Sequence, residues 1–425
     1  MSKRGFQRLR VLLCTGAVLA GGGAPTLAQA ADWTLQSTAQ RVLQVAPERA
    51  AAEAEVKARQ GRLGQAGAWP NPTIALGASN AMGKDDGQGG TALNLLSITQ
   101  PLPLSGRLDL QRQQAGASLR QAEANVSQQR LLLEYEAARI FHSLQFSRAR
   151  LQLARQRLES ADEFQHIGQR REAAGDLSRL ARLRLDLVRE SAKQEIATAE
   201  GRVGEALSDF QTLLNMEEAV PAVASLGHFP PLPPLDEMLT RLEAHPALVA
   251  ARQGVEAARQ GVAVARADRF ADPEVWLAQE RDVLGDRRQT ATAFGVTLTV
   301  PLWNRGKGNI DAARANRQKA QFEVDALLRQ LGNRLRLNHR HLSHLIEQGH
   351  DFRTHVLVPA EEIFRLSRKG FVAGQVDILN LVDAVESYFN ARGRYLELLQ
   401  AAWMEAAALR RTAGLSLLNE QGTAQ

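Results

Sequence analysis

The stretch "VTLTVPLWNRGKGNIDAARANRQKAQ", Val296 to Gln321, decides how the chain is read. It opens on alternating apolar and polar residues, the period-two pattern of a strand with two unlike faces. Pro301 stops that run, because proline brings no N–H to a ladder. Past Gly306 the composition turns to Ala, Gln and Arg, which favour helix. An earlier stretch, "LSITQPLPLSGRLDLQRQQAGASLRQ", Leu96 to Gln121, makes the same passage. Pro101 stands opposite Pro301 and Gly106 opposite Gly306, so these four residues mark two strand-to-helix junctions half a chain apart.

The correspondence extends well past the junctions. "AWPNPTIAL" (Ala68–Leu76) matches "RFADPEVWL" (Arg269–Leu277), and "REAAGDLSRLA" (Arg171–Ala181) matches "KGFVAGQVDILN" (Lys369–Asn380), with Gly175 opposite Gly374. Such self-similarity is the mark of a duplicated supersecondary unit. The first repeat is read over 31–227: helix, β-hairpin 69–103, long helix, a turn near 175, helix. The second is read over 238–425 in the same order, with its hairpin at 270–302 and its turn near 374. "HFPPLPPLDE", 228–237, is the linker, where clustered prolines bar a continuous helix.

Within the hairpins the alternation is two-sided. Phe294, Val296, Leu298 and Val300 share one face of the fourth strand, and Ile74, Leu76 and Ala78 one face of the first. Both strands read as about ten residues, the length of a tilted membrane-spanning strand. Trp69, Phe270, Trp276 and Trp303 lie at or near strand ends, where interfacial aromatics belong. The plainer alternative is four edge strands of a soluble sheet. The polar segments Ala81–Gly90 and Glu280–Gln289 read as the hairpin tips.

From Arg107 to Ala174, and from Lys307 to Phe371 save for Pro359, no proline interrupts the helical composition. Each run would extend roughly 100 Å at about 1.5 Å per residue. Helices of this length must bury a stripe against neighbours. Leu131, Tyr135, Ala138, Phe141 and Gln145 supply one, with Leu144 beside it. Pro359 predicts a kink or local unwinding.

Composition narrows the class further. Aromatics are only 5% of 425 residues, which disfavours compact aromatic-rich cores. Residues 1–30 read as a secretory signal: Lys3, Arg4, Arg8 and Arg10, then Val11–Ala20, then the Ala28-Gln29-Ala30 cleavage site. Without those four basic residues the net charge of +6 falls to +2, no basis for nucleic-acid binding. The single cysteine, Cys14, lies in that leader, so no disulfide is expected. No later segment carries some twenty uninterrupted apolar residues, so a membrane crossing must be made by strands. Four strands do not close a barrel, for which about eight is the practical minimum. The chain must then associate with copies of itself.

"QPLPLSGR" (Gln100–Arg107), "VPLWNRGKGNI" (Val300–Ile310), "AHPALVAARQGVEAARQ" (Ala244–Gln260) and "GFVAGQVDILNLVDA" (Gly370–Ala384) resemble signatures of the TolC-type outer-membrane efflux channel family. The "PL-NRGKGNI" phrasing is closest to its heavy-metal (cobalt–zinc–cadmium) exporter branch. The resemblance implies an α+β membrane protein: a homotrimer whose twelve-stranded transmembrane β-barrel, four strands per chain, continues into a long periplasmic α-helical barrel. It implies location in the outer membrane, in contact with its lipid, with a periplasmic extension. It implies two partners, a periplasmic adaptor (membrane fusion) protein and an inner-membrane RND-type pump. The pump supplies the energy, so neither enzymatic activity nor a cofactor is expected.

On that resemblance Gly175, Asp176, Gly374 and Phe371 form the periplasmic tip turns; ordinary helix–helix turns with a left-handed glycine are the plainer alternative. The family's inward carboxylates fall on Asn380 and Asp383, with Asp377 a nearby candidate. Three Asp383 carboxylates around a narrow axis would attract cations; otherwise Asp383 faces water or pairs with an arginine. The chain departs from the family at Val376, where an arginine is expected, at Phe371, where a tyrosine is, and at Ala181, where an aspartate is. His341 and His344, at i and i+3 in "NHRHLSHLIEQGHDFRTH", could chelate a divalent metal, against the plainer reading of a polar helix face. Two other functions remain open: the same duct exporting drugs or secreted proteins, and a soluble periplasmic coiled-coil adaptor.

Overall fold

The structure, a computed structural model, describes residues 33–78, 95–217, 227–284 and 287–418, with backbone alone at 282–284 and 287–288. Residues 1–30, read as a leader, and Ala81–Gly90, read as a hairpin tip, lie outside the described residues. Helices α1 (Leu35–Val45) and α2 (Pro47–Ala66) lead to strands β1 (Thr73–Gly77) and β2 (Leu95–Pro101), then to α3 (Arg107–Ala173) and α4 (Arg179–Leu214). Beyond Gly227 come α5 (Leu235–Arg241), a 3-10 turn (Leu242–Ala244), α6 (Pro246–Ala267) and strands β3 (Glu274–Leu284) and β4 (Arg287–Thr297). The chain ends in α7 (Lys307–Phe352), a π-helical segment (Arg353–Leu357), α8 (Val358–Val372) and α9 (Ile378–Ala413).

Local chemistry sets these boundaries. Pro47 and Pro246 open α2 and α6, where a missing N–H costs nothing. Gly106 and Gly306 cap α3 and α7 in the left-handed region, at φ 72° and 66°. α3 then runs unbroken for 67 residues, about 100 Å. Its partner in the second half does not. Pro359 has no N–H for the carbonyl four residues back, and the ladder loosens into the π segment immediately before α8. The linker is also shorter than its prolines suggest: α5 begins at Leu235, directly after Pro234.

The four strands form one antiparallel sheet in the order β1-β2-β3-β4. Ile74 lies opposite Ile98, Ile98 opposite Leu277, and Leu277 opposite Phe294. Opposed residues share a face, so one face carries Ile74, Leu76, Leu96, Ile98, Val275, Leu277, Phe294 and Val296. All are exposed, Phe294 by 86% and Ile74 by 65%. The other face carries Ala75, Ser97, Thr99, Ala278, Ala293 and Gly295. Trp276 belongs to this second face, not to an interfacial belt: it opposes Thr99 and Gly295, and a Cβ on Gly295 would sit 2.6 Å from its ring. Three more expectations need correction. β1 is five residues long rather than about ten. The ladder runs on into the segment Glu280–Gln289, read as a loop, through Glu280–Leu284 and Arg287–Gln289 as far as Leu284 opposite Arg287. β4 stops at Thr297, short of Leu298 and Val300. Trp69, Phe270 and Trp303 stand exposed at the helix-facing end.

Halfway along, α3 is wrapped by its neighbours, and Ala138, Phe141, Leu144 and Gln145 are buried. Phe210 and Leu214 of α4 and Val42 of α1 complete this core, each large side chain contributing about 1.5–3 kcal/mol. Buried Glu134 accepts from Arg130 Nε (2.8 Å), Ser416 Oγ (2.8 Å) and Leu417 N (2.6 Å), which fastens the segment after α9 to α3. No described helix is long and apolar enough to cross a membrane.

His245 caps α6 through Nδ1, which accepts from Ala247 N at 3.1 Å, while Nε2 donates to the Arg411 carbonyl at 3.3 Å. Burial holds its pKa below the ordinary histidine value. A lowered folded pKa means that stability is full above the unfolded value of about 6.5 and is lost as pH falls below it. Acidification from pH 7.5 to 5.5 therefore lowers the thermal midpoint. His245→Asn, which keeps a capping oxygen but does not titrate, shallows that dependence at a cost of about 1 kcal/mol.

Candidate functional site

Two places stand apart from ordinary helical packing: the bare apolar sheet and, about 100 Å away along α3, the turns that end α3 and α8. Both turns are built alike. At the first, Gly175 N donates to Glu172 O and Asp176 N to Arg171 O. At the second, Gly374 N donates to Phe371 O and Gln375 N to Gly370 O. These are Schellman closures, and they require the left-handed glycines Gly175 (φ 80°) and Gly374 (φ 77°). The return helices are capped in the same way: Ser178 accepts from Ala181 N (3.2 Å) and Asp377 from Asn380 N (2.9 Å). Each cap is worth about 0.5–2 kcal/mol.

The turns are joined to each other. Phe371 is fully buried among Phe164, Leu185, Leu381 and Val385, with Phe164 edge-on at 6.2 Å. The Arg171 guanidinium lies 5.3 Å above the Phe371 ring and donates to the Phe371 carbonyl at 3.2 Å. Arg368 pairs with Glu163 at 2.8 Å. Phe371, read from sequence as part of the tip turn, accepts from Gly374 N there and also plugs the core between the turns, its ring against Phe164 and Arg171. Val376 packs on Gly370, where a Cβ would meet it at 2.4 Å. Ala181 is buried in the same core, a place hostile to an unpaired aspartate.

Among the constriction candidates, Asp377 is committed to its cap. Asn380 and Asp383 are exposed one turn apart on α9, on the side away from buried Leu381, Ala384 and Val385. Among the described residues Asp383 meets no ion-pair partner. Pro101 ends β2 and Gly106 opens α3, whereas Pro301 falls outside a strand because β4 ends at Thr297. Of the histidine pair, His341 Nδ1 faces Glu405 Oε2 at 3.2 Å and His344 is exposed. Among the described residues no group of three His, Cys, Asp or Glu is placed to hold a metal ion.

Two contacts had no sequence reading. Arg171 reaches a residue 200 positions away, and nothing distinguishes it from the other arginines of α3. Arg107, first in α3, pairs through Nη2 with Asp272 Oδ2, and its Nε lies 3.7 Å from Asp268 Oδ1. Asp272 is 10% exposed, and among the described residues its Oδ1 has no hydrogen-bond partner. The duplicated Asn71-Pro72 and Asp272-Pro273 were the available signal for this contact.

The chain matches the model of a family described as outer membrane efflux protein over residues 38–216 and 240–415. It is 26% identical over 368 residues to the cobalt-zinc-cadmium resistance protein CzcC of Cupriavidus metallidurans, covering 86% of each chain. It is 24% identical over 335 residues to the nickel-cobalt-cadmium resistance protein NccC of Alcaligenes xylosoxydans xylosoxydans, over 76% of this chain and 73% of that one. Among solved structures, the open state of the MtrE outer membrane channel of Neisseria gonorrhoeae superposes with a TM-score of 0.74 at 19% identity, over 90% of this chain and 89% of that one. A structure of CusC gives 0.73 at 18%, over 92% and 96%. At these identities the structural likeness speaks to the fold.

If Arg171 ties the tips together, Arg171→Ala removes a charged donor from the Phe371 carbonyl, worth about 1.5 kcal/mol. Amide exchange over residues 370–377 should accelerate about tenfold, while exchange around Leu144 stays unchanged. Equal protection in both proteins would mean that the turns hold themselves.

Proposed function

The chain belongs to the outer membrane efflux protein family, and we propose that it is the exit duct of a tripartite exporter of heavy-metal cations. Family and fold are those of an outer-membrane channel rather than an enzyme. The observation that carries the finer reading is the sheet: among the described residues its apolar face is bare, and both β1 and β4 have an unpaired edge. In hydrocarbon, unpaired backbone groups cost several kcal/mol each, so a spanning sheet must close. One chain supplies too few strands. Three copies pool twelve, and the twelve-stranded barrel continues into a periplasmic barrel of the long helices.

In this reading the two halves, 31–227 and 238–425, arose by duplication, and residues 1–30 are the leader that directs export. The tip turns around Gly175, Asp176 and Gly374 are where a periplasmic adaptor and an inner-membrane pump engage the duct. The pump supplies the energy and the duct is passive. Asn380 and Asp383 line the constriction near the tips, and Asp377 contributes by fixing the start of α9. Three Asp383 carboxylates around the axis form a ring that favours cations. CzcC and NccC are named for resistance to cobalt, zinc, nickel and cadmium, which supports a metal cargo.

A strain lacking the gene should lose tolerance to zinc, cobalt or cadmium and regain it on complementation. A change in drug tolerance alone would contradict the metal assignment. In planar bilayers Asp383→Ala should raise conductance or weaken cation preference; unchanged selectivity would remove Asp383 from the ring.

A further inference from the structure

The two strand-to-helix junctions repeat one backbone plan and differ in charge. In the first half Ala68, Ser105 and Arg107 stand where the second half has Arg269, Arg305 and Lys307. Arg107 is clasped by Asp272 and Asp268, and α3 carries Asp109 in its first turn. The first turn of α7 has no acid. β3 and β4 pair down to Glu274 opposite Thr297, which brings the end of α6 beside the start of α7. There a Cβ on Gly306 would lie 3.9 Å from the Arg269 Cα and 4.0 Å from its Cγ. Arg269 therefore stands beside the turn that carries Arg305 and Lys307, and Asn304 Oδ1 steadies that turn by accepting from Gly306 N at 3.1 Å.

All three cations are exposed, and among the described residues none meets a carboxylate. The acids nearby are engaged or set apart. Asp268 and Asp272 hold Arg107, Asp311 pairs with Arg314 at 3.0 Å, and Glu274 opposes Thr297 on the small-residue face of the sheet. Residues 56–78, around β1 at the far edge of the sheet, contain no Asp or Glu. What surrounds the cations is apolar instead. Trp303 is 92% exposed, Leu302 and Phe270 are bare as well, and the Arg269 guanidinium lies 4.7 Å from the centre of the Phe270 ring. Before them in the chain, exposed Leu298 and Val300 carry on the apolar phase of Phe294 and Val296. Aromatic rings beside cations at the end of a lipid-facing strand belong where hydrocarbon gives way to headgroups.

We propose that this junction binds the phosphate group of an anionic phospholipid through Arg269, Arg305 and Lys307, with Trp303, Phe270 and Leu302 against the upper part of its acyl chains. The inference rests on the reading of the sheet as a lipid-embedded wall, and it specifies a lipid that the wall selects. Guanidinium and ammonium donors suit phosphate oxygens, and each basic group near an anionic leaflet strengthens attachment about fivefold. A zwitterionic headgroup fits less well, because its own ammonium meets three like charges. Free phosphate also fits less well, since it leaves the aromatic side chains in water. The first junction gives no such selectivity: Arg107 is neutralised within the chain, and Ala68 and Ser105 carry no charge. Each chain thus holds one lipid site, on the side of β4.

The test uses the full chain purified in detergent and titrated with single lipids under native mass spectrometry. Dioleoyl phosphatidylglycerol should be retained about tenfold more tightly than dioleoyl phosphatidylcholine, as a single tightly held molecule per chain. Arg305→Gln combined with Lys307→Gln should abolish that preference, and Arg269→Gln alone should weaken it about fivefold. Arg305→Lys with Lys307→Arg should keep it. Arg329→Gln with Arg336→Gln removes the same charge from exposed positions about 33 Å and more along α7, and should also keep it. Glycerol phosphate in millimolar excess should not displace the lipid; displacement would overturn the lipid assignment in favour of a free phosphate. Equal retention of the two lipids, or a preference that survives the loss of Arg305 and Lys307, would overturn the site while leaving the wall intact. A chain that does not float with phosphatidylcholine vesicles after reconstitution would overturn the wall, and the site with it.

Discussion

The rest of this structure depends on the hydrogen-bonding edges of β1 and β4. A backbone N–H or C=O has no partner in hydrocarbon except another backbone, so a sheet that enters lipid must run on until it meets itself. Among the described residues the sheet has four strands, one greasy face and two free edges, and its other face carries Trp276 among mostly small and hydroxylic side chains. That combination is unstable in water as a flat sheet. In lipid it is stable only as part of a closed wall. In the proposed duct the requirement for further copies comes from this constraint, before any comparison with other proteins.

The helices answer a different demand, that of reach. α3 carries the chain from the sheet to the tip without a break, and the equatorial core around Leu144 and Phe210 holds it to α1 and α4. The second half covers the same ground less uniformly, because Pro359 forces a π segment between α7 and α8. A loosened ladder in one of two otherwise comparable columns places any bending in the second. At the tip, the left-handed glycines and the Ser178 and Asp377 caps make tight reversals, and Phe371 with Arg171 locks the two reversals into one unit.

Much of this was written locally in the sequence. Pro101, Gly106 and Gly306 act through the backbone of their own positions, so the junctions could be read from single residues. The period-two runs and the proline-free helices are likewise local patterns, and Pro359 announced its own disturbance. What escaped the reading depends on distant partners. That Phe371 of the tip turn also packs into a core depends on Phe164 and Arg171, far away in the chain. His341 and His344 share a helix face on paper, but Glu405 on another helix claims the first. Trp276 was placed by its nearness to a strand end, whereas its face is set by register with Gly295. Polarity alone does not tell a strand from a turn, so residues 280–284 and 287–289 read as loop where the ladder continues.

The central claim is that one face of the sheet meets lipid while the other meets water. Spin labels placed one at a time from Thr292 to Thr297 of β4, in protein reconstituted into bilayers, test it most directly. Accessibility to lipid-soluble oxygen should peak at positions 292, 294 and 296, and accessibility to a water-soluble nickel reagent at 293, 295 and 297. Six positions uniformly open to the nickel reagent would mean that the sheet never enters the membrane.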